Sequence, residues 1–292
     1  MDRDLIIFAG VVTFNPDISR LRENLSAIEG AVACIIVFDN GSKNVDDIRQ
    51  LLADVPAAFM IESSENFGIA TALNGIVGAA GERGADWVLL LDQDSVCRPG
   101  LPLILAEHAS EDIAIICPDI VDRNLPSRMA TTAPAVSDVE ACITSGSLTS
   151  IAAWSEVGGY DQGFFIDYVD FDFCLRLRMA GYRIVRDPRA SLLHELGNSK
   201  KYWKFTSYNY SEFRLYHMSR DMIYYSVKHR AIKATLKMNG RGLFGNLLVL
   251  LKKIVVILCF EKRKARKAWA VLRGAASGLL TAAASGNGVN AQ

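Results

Sequence analysis

Two carboxylates separated by one residue follow a strongly apolar run in the first third of the chain. The run spans residues 87–91, and Asp92, Gln93 and Asp94 come directly after it. Like charges at the end of a buried strand are costly unless a cation or the hydroxyl groups of a ligand satisfy them. Hard divalent ions prefer oxygen ligands and bridge substrate phosphates. The pair therefore predicts a divalent-metal site for a phosphorylated ligand, with a plain acidic turn as the alternative.

Three further polar clusters follow apolar runs or open helical patterns. They are Thr13-Phe14-Asn15-Pro16, Asp39-Asn40-Gly41-Ser42, and residues 65–75 with Asn66, Gly68 and Asn74. Short polar groups at a strand end can reach a base or a ribose, and an amide at a helix entry can contact a nucleotide. The alternative for each cluster is a turn with a helix cap.

Short apolar runs rich in β-branched residues alternate with helical patterns through the first half of the chain. The predicted strands span residues 5–13, 33–38, 57–61, 87–91 and 113–117, and the predicted helices span 18–29, 45–53, 69–81 and 100–109. This alternation is typical of a Rossmann-like α/β fold, with a mostly parallel sheet and helices on both faces. Ligands of such sheets bind at the carboxyl ends of the strands, where the polar clusters fall.

The order of these motifs resembles a known enzyme family. Four segments are similar, in the same order, to the sequence pattern of the family 2 glycosyltransferases, nucleotide-sugar enzymes of the GT-A fold. They are VVTFNP, FDNGS, ENFGIATALN and LLLDQDS. LLLDQDS, the later GGYDQGFFIDYVDFDFCLR and the stretch from Pro188 to His194 are most similar to bacterial rhamnosyltransferases. The resemblance covers roughly residues 5–200.

The resemblance implies a role for each position. The nucleotide pocket would be lined by Thr13, Asn15, Asp39 and Asn40, with Asp39 recognising the base. The nucleoside diphosphate would be flanked by Asn66, Gly68 and Asn74, and the donor would also face Asp92 and Gln93. Mg²⁺ or Mn²⁺ would be held by Asp94 and Asp92, with His194 either a third ligand or a purely structural histidine. The acceptor and sugar pocket would include Ser145, Gly146 and Trp154, for which a tight turn and a buried indole are the alternatives.

The catalytic base is expected among three carboxylates, Asp167, Asp170 and Asp172. A helix beginning near Asp170 would place that carboxylate at its N-terminal end, where the helix dipole keeps it ionised and ready to accept a proton. The family usually has Glu-Asp before this helix, and Val169 replaces the Glu here. Asp170 is therefore assigned as the base, with Asp167 as a rival and Asp172 as a weaker one.

A metal-neutralised nucleoside diphosphate leaves without protonation, so one base suffices and a single displacement inverts the anomeric centre. The resemblance implies dTDP-L-rhamnose as donor and a polysaccharide or lipid-linked glycan as acceptor, as in O-antigen and other cell-envelope polysaccharide biosynthesis. The catalytic domain is predicted at residues 1–200, with a nucleotide-sugar half at 1–118 and an acceptor-side half at 119–200.

Two other classes of function remain as alternatives, besides a family 2 transferase with another donor. A non-catalytic, membrane-associated module that binds nucleotide sugars would share the motifs. A dinucleotide-dependent oxidoreductase would share the sheet, but the turn at residues 13–16 lacks the Gly-x-Gly-x-x-Gly pattern that such enzymes need.

The C-terminal region differs in charge from the rest of the chain. Residues 1–199 carry 14 basic and 29 acidic side chains, whereas residues 200–273 carry 18 basic and three acidic ones. Helices are expected at 205–237 and over the apolar stretch 243–260. Lys252 and Lys253 would each cost roughly 2.5–3.5 kcal/mol in the centre of a spanning helix. We therefore expect the basic, helical region 201–292 to lie on the inner face of the cytoplasmic membrane. A core helix or a homo-oligomer contact is the alternative.

Composition and cysteine pattern indicate the class of protein and its cellular compartment. With 50% hydrophobic and 22% charged residues the chain is neither disordered nor fibrous. Its six cysteines form no CxxC pair, and the N-terminus lacks the basic region of an export signal. These features predict a cytoplasmic protein with reduced thiols, and no nucleic-acid partner is expected.

Overall fold

The computed structural model describes residues 5–123, 135–194, 200–202, 205–207, 209–232 and 241–286. The chain forms two compact units, the first from Met1–Asp161 and Phe173–Leu196, the second from Gln162–Asp172 and Gly197–Gln292. The segment 162–172 thus belongs to the same unit as the C-terminal helices. The domain boundary near residue 200 stays a prediction.

Nine strands of the described residues form a sheet at the centre of the first unit. Its strands are β1 Ile7–Thr13, β2 Cys34–Asp39, β3 Ala58–Glu62, β4 Trp87–Asp92, β5 Val96–Cys97, β6 Ile113–Asp122, β7 Ser137–Asp138, β8 Ser147–Ser150 and β9 Arg183–His194. β1 is buried along its whole length, as expected for a strand covered on both faces. The five predicted strands are present as β1 to β4 and β6.

The strand order is β3-β2-β1-β4-β8-β6-β9-β5, with β7 paired to β9. β1 runs parallel to both neighbours, so that Thr13 pairs with Asp39 and Val12 pairs with Asp92. Three strand ends therefore meet at one edge, as the sequence predicted. Beyond β4 the sheet is mixed, because β8 runs antiparallel to β4 and β6.

Six helices among the described residues accompany the sheet. They are α1 Ile18–Ile28, α2 Val45–Ala53, α3 Ile69–Glu82, α4 Leu101–Ala106, α5 Ile151–Glu156 and α6 Val169–Met179. The first three agree with prediction to within one residue at each end. α4 ends three residues earlier than predicted, because the N–H groups of His108 and Ala109 bond only three residues back, in turns.

β9 contains a bulge before it ends at His194. Its register with β6 shifts between Asp187 and Ser191. The buried Asp187 carboxylate accepts from Arg189 N at 2.8 Å, and His108 Nε2 lies 2.7 Å from its other oxygen. Burial alone would raise the pKa of Asp187, but the hydrogen bonds from Arg189 and His108 outweigh it and hold the pKa at about 2.

Asp187→Asn should lower the free energy of unfolding at neutral pH by about 2 kcal/mol. The folded pKa of about 2 lies below the ordinary 3.8. The ionised carboxylate therefore stabilises the fold above about pH 4, and this contribution is lost as the pH falls through about 2. Denaturant titrations across this range should show the wild-type advantage shrinking in acid. An advantage that is constant with pH would contradict the assignment.

The second unit contains, among its described residues, three helices and a hairpin. They are β10 Lys200–Tyr202, β11 Phe205–Ser207, α7 Glu212–Lys228, α8 Leu243–Phe260 and α9 Lys264–Gly286. α7 and α9 approach closely: a Cβ atom at Gly274 would lie 2.2 Å from Tyr216 O, and one at Gly278 would lie 2.4 Å from Arg220 O. Both positions therefore require glycine for this packing.

The helix predicted over residues 205–237 is wrong at its start. Residues 205–207 form β11, and Asn209 has a left-handed backbone with φ of 46°. Ser211 then caps α7 by accepting from Arg214 N. The helix ends at Lys228, and residues 233–237 lie outside the described residues.

Candidate active site

Asp92, Asp94 and His194 come together at the carboxyl edge of the sheet. Asp92 ends β4, Asp94 lies in the following turn, and His194 ends β9. Their ligand atoms lie within 4.8 Å of one another, and all three side chains are half-buried. Two carboxylates and an imidazole at this spacing suit a divalent ion that keeps open positions for a ligand. The residues present therefore fit Mg²⁺ or Mn²⁺.

Two serines and an asparagine support this cluster. Ser95 Oγ lies 2.9 Å from His194 Nδ1 and 2.8 Å from Ser145 Oγ, which in turn accepts from Asp92 N at 3.0 Å. The buried Asn24 donates to the carbonyl oxygens of Asp92 and Ser95 at 2.8 and 2.6 Å. Because Ser95 engages Nδ1 of His194, Nε2 is the ring nitrogen that remains for a metal. Sequence reasoning missed Asn24 and Ser95 as supports of the site.

Ser145→Ala should weaken Mn²⁺ binding by roughly 10- to 100-fold. The variant loses the hydroxyl that accepts from Asp92 N and contacts Ser95, so the carboxylate and imidazole lose their fixed orientation. Titration of Mn²⁺ followed by electron paramagnetic resonance measures the affinity. Ser147→Ala is the matched control, because this buried hydroxyl donates to Thr144 O instead. Equal losses in both variants would contradict the supporting role of Ser145.

Asp39, at the end of β2, is buried and held by several hydrogen bonds. Thr13 Oγ1 donates to its Oδ1 at 3.0 Å, and Ser42 N donates to its Oδ2 at 2.9 Å. Ser42 Oγ also donates to Oδ1 at 2.5 Å. Thr13 is fully buried, so in this structure it orients Asp39.

Asn15 and Gln93 connect the loop after β1 to the loops that follow β2 and β4. Asn15 Oδ1 accepts from Lys43 N at 2.9 Å, and its φ of 47° lies in the left-handed region that asparagine tolerates. Phe14 N donates to Gln93 Oε1 at 2.8 Å. Asn15 is exposed and Gln93 is half-buried, so both side chains are accessible to solvent.

Asn40, Asn66 and Gly68 form the entry to α3. Asn40 accepts from Phe67 N at 3.0 Å and donates to Gly68 O at 3.1 Å. Asn66 Oδ1 accepts from Gly68 N at 2.9 Å. Gly68 has a φ of 90°, which side chains disfavour. The buried Asn40 thus fixes this turn, and the predicted contacts of all three residues with a nucleotide stay predictions.

The side-chain amide of Asn74 forms hydrogen bonds within the protein. Its Oδ1 accepts from Trp154 Nε1 at 3.0 Å and from Tyr160 N at 2.8 Å, and its Nδ2 donates to Tyr160 O at 2.7 Å. These bonds occupy the amide that was expected to flank a diphosphate. Asn74 therefore links α3 to residues 154–160 in this structure, and its contact with a diphosphate stays a prediction.

The residues assigned to an acceptor and sugar pocket also have internal partners. Gly146 has a φ of 84°, its N–H donates to Leu90 O at 2.7 Å, and a Cβ there would lie 2.9 Å from Leu192. Ser145 supports Asp92, and the Trp154 indole donates to Asn74. Their structural roles are thus visible, and their contact with an acceptor stays a prediction.

The rival bases Asp167 and Asp170 lie in the segment that belongs to the second unit. Asp170 occupies the first turn of α6, and its Oδ1 accepts from Phe171 N at 2.9 Å. Asp167 precedes the helix and pairs with Arg214 at 3.1 Å. Burial raises the pKa of Asp167 above its ordinary range, and the Arg214 guanidinium partly opposes this. The predicted helix start is present, with Asp170 at its N-terminal end.

Asp172, the weaker rival, is a structural anchor. Its carboxylate is fully buried and lies 2.6 Å from Lys228 Nζ and 2.7 Å from His229 Nε2.

Removing one partner of a buried ion pair leaves the other uncompensated, so Asp172→Ala should lower the free energy of unfolding by about 3–5 kcal/mol. Thermal unfolding measures this, with the exposed Asp54→Ala as control. An Asp172 variant that melts like the wild type would contradict the anchor.

The mixed α/β sheet and the polar cluster at its strand ends are those expected of a glycosyltransferase with the GT-A fold. The profile of glycosyl transferase family 2 matches residues 10–168, more than half of the chain, and the chain belongs to this family.

Relatives and solved structures agree with this placement. The dTDP-rhamnosyl transferase RfbF of Shigella flexneri is 28% identical over 210 residues, which cover 66% of this chain and 70% of RfbF. The mannosyltransferase PcManGT from Pyrobaculum calidifontis, in complex with GDP-Man and Mn²⁺, superposes with a TM-score of 0.58 at 17% identity, covering 97% of this chain and 76% of that one. S. aureus TarS 1–349 gives 0.62 at 12% identity, covering 94% and 81%. At these identities the two structures show a shared fold.

Proposed function

We propose that this glycosyltransferase is a metal-dependent, inverting rhamnosyltransferase that uses dTDP-L-rhamnose. The observation that carries the proposal is the convergence of Asp92, Asp94 and His194 at the strand ends. The name of the relative RfbF supports the donor, and the Mn²⁺ in the PcManGT complex supports the metal. The acceptor would be a hydroxyl of a polysaccharide or lipid-linked glycan, as in O-antigen or other cell-envelope polysaccharide synthesis.

Each part of the site would contribute one step. A bound metal would neutralise the diphosphate, so that it leaves without a proton. Asp94, Asp92 and His194 would hold that metal in the orientation that Ser95 and Ser145 fix. Asp170 would take the proton from the acceptor hydroxyl as its oxygen attacks the anomeric carbon. A single displacement of this kind inverts the configuration.

The nucleotide would bind across the ends of β1 and β2 and the entry to α3. Asp39 would recognise the base, since Thr13 and Ser42 hold its carboxylate in one orientation. The other donor contacts would come from Asn15, Asn40, Asn66, Gly68 and Gln93.

A thermal-shift screen against a panel of nucleotide sugars with Mn²⁺ tests the donor. A ligand that binds only the native state raises the melting temperature, so dTDP-L-rhamnose should give the largest shift. A larger shift with another nucleotide sugar would identify that compound as the donor and would leave the family assignment unchanged. Donor binding without transfer to any acceptor extract would favour the alternative of a non-catalytic module.

We also propose that the enzyme works at the inner face of the cytoplasmic membrane. The six cysteines are free thiols, which supports a reducing compartment. Among the described residues, α8 is long and apolar enough to cross a membrane by length and composition. One of its faces packs within the second unit, where Asn246 donates to Ser226 Oγ at 2.7 Å and Lys253 Nζ lies 5.5 Å from the Tyr210 ring. A helix bound in this way would lie flat in the interface instead of spanning it.

The opposite face of α8 is apolar and exposed. Phe244, Leu251 and Leu258 recur every seven residues and expose 76%, 58% and 46% of their surface. On α9, Trp269 and Leu280 expose 61% and 72%. Exposed apolar rows of this extent mark membrane or protein contacts.

Charge favours an anionic lipid surface as the occupant. The one acid in residues 241–286 is Glu261, which is 7% exposed and pairs with Lys267 at 2.8 Å. The exposed charges of these residues are all positive: Arg241, Lys252, Lys262, Arg263, Lys264, Arg266 and Arg273. Basic groups beside an exposed apolar face complement anionic headgroups and acyl chains.

Flotation with phosphatidylglycerol-containing vesicles tests this surface. The wild type should float with anionic vesicles and less with neutral ones, and Leu251→Asp should stay in solution. Leu103→Asp is the matched control, because Leu103 lies on α4 and is similarly exposed, at 63% against 58% for Leu251. A dimer in solution that Leu251→Asp dissociates, without vesicle binding, would assign the face to a second copy instead.

A further inference from the structure

One buried carboxylate of α7 holds the segment that leads to the candidate base. Asp221 Oδ2 accepts from three consecutive backbone N–H groups, those of Phe165, Ile166 and Asp167, at 3.1, 2.9 and 3.1 Å. The Asp221 side chain has no exposed surface. Three convergent donors on one oxygen fix the path of the backbone over these residues.

Arg220, the residue before Asp221 on α7, binds the same segment. Arg220 Nη1 donates to the other Asp221 oxygen at 3.1 Å, and its Nη2 donates to Gly163 O at 2.7 Å. Two adjacent residues of α7 thus bind the segment from Gly163 to Asp167. Burial raises the pKa of Asp221 to about 6, and the three backbone hydrogen bonds and the Arg220 guanidinium partly oppose this shift.

The held segment ends in a strained residue. Tyr168 has a φ of 66°, a conformation that costs a bulky side chain energy and persists only where the surroundings impose it. Its ring packs 5.0 Å from the Tyr225 ring. The Tyr168 carbonyl then accepts from Asp172 N at 2.9 Å, which starts α6 with Asp170 in its first turn.

We propose that Asp221 is a positioning residue for transfer: it fixes residues 163–168 and so the start of α6 that presents Asp170. The proposal rests on the proposed function, in which Asp170 is the base. It also makes α7 part of the catalytic apparatus, since the helix supplies the anchor for the base-bearing segment.

Asp221→Asn in the full-length enzyme tests the proposal, because it keeps the shape and one acceptor oxygen but removes the charge. The turnover number for transfer should fall roughly 100-fold, as small misplacements of a reacting group do. The affinity for Mn²⁺ and the KM for the donor should stay within about twofold, since Asp92, Asp94 and His194 lie at the ends of β4 and β9, outside the segment that Asp221 binds. Glu111→Gln, an exposed carboxylate on the first unit, is the control for loss of charge.

Hydrogen exchange provides a readout that is independent of activity. The amides of residues 165–167 should lose protection in Asp221→Asn and keep it in Glu111→Gln. Arg220→Gln should lose it partially, and this variant decides the matter if Asp221→Asn does not fold. Unchanged protection, or an equal fall in turnover and metal affinity, would overturn the proposal. A wild type that exchanges as expected but transfers no sugar would count against the proposed function alone.

Discussion

Asp94→Ala should abolish Mn²⁺-dependent donor binding and lower kcat/KM for transfer by about 1000-fold or more. Asp94 lies in the turn after β4, beside Asp92 and His194, and supplies one of the two carboxylates of the cluster. Without it, one acid and one imidazole remain, which is a poor site for a hard divalent ion. A departing diphosphate would then lack the positive charge that a bound ion would supply to stabilise it. Calorimetric titration of the donor with and without Mn²⁺ measures this.

The control for this prediction is Asp46→Asn, which removes a carboxylate that is 89% exposed and pairs with Arg49 on α2. It should bind donor and metal as the wild type does. If Asp94→Ala keeps its donor affinity in Mn²⁺, the metal assignment is wrong.

Asp170→Asn should leave donor and metal binding intact and slow transfer by roughly 100- to 10,000-fold. The amide keeps the shape of the side chain and its place in the first turn of α6 but cannot accept the proton of an acceptor hydroxyl. Steady-state kinetics should therefore show an unchanged KM for the donor and a reduced turnover number.

Asp167→Asn separates the two rival bases. Asp167 is paired with Arg214, and burial raises the pKa of its carboxyl, so we expect a structural contribution and a smaller loss of turnover. If Asp167→Asn is the more damaging variant and Asp170→Asn transfers well, the base is Asp167.

The parallel half of the fold was predictable because its apolar runs are continuous. β1, β2 and β4 each carry at least five buried residues in sequence, a pattern typical of a short strand covered on both faces. β8 gave no such signal, since Ser147–Ser150 is mostly polar. Its hydroxyl groups are buried through internal hydrogen bonds, as where Ser147 donates to Thr144 O. Such bonds are invisible until the fold brings the partners together.

The candidate site was predictable to the extent that it follows strand ends. Asp92, Asp94 and His194 come together because β4 and β9 end at the same edge. Their supports could not be predicted, since Asn24 and Ser145 lie 68 and 53 positions from Asp92 in the sequence. A polar residue on an amphipathic helix has no distinguishing signal by itself.

The contacts of the C-terminal region were also only partly predictable from the sequence. Its charge and apolar stretch predicted helices and a surface contact, but they did not predict an anchor for the base-bearing segment. Asp221 is one of three acids among residues 200–273, and its bonds to residues 165–167 span more than 50 positions. The signal available in the sequence was an isolated acid within a strongly basic region.

Release of dTDP from dTDP-L-rhamnose by the wild type, in the presence of an acceptor extract, tests the central claim most directly. We expect release with Mn²⁺ or Mg²⁺, loss of release on addition of EDTA, and recovery when the ion is restored in excess. Release at the same rate in EDTA, or no release with either ion and any acceptor extract, would contradict a metal-dependent transferase built on Asp92, Asp94 and His194.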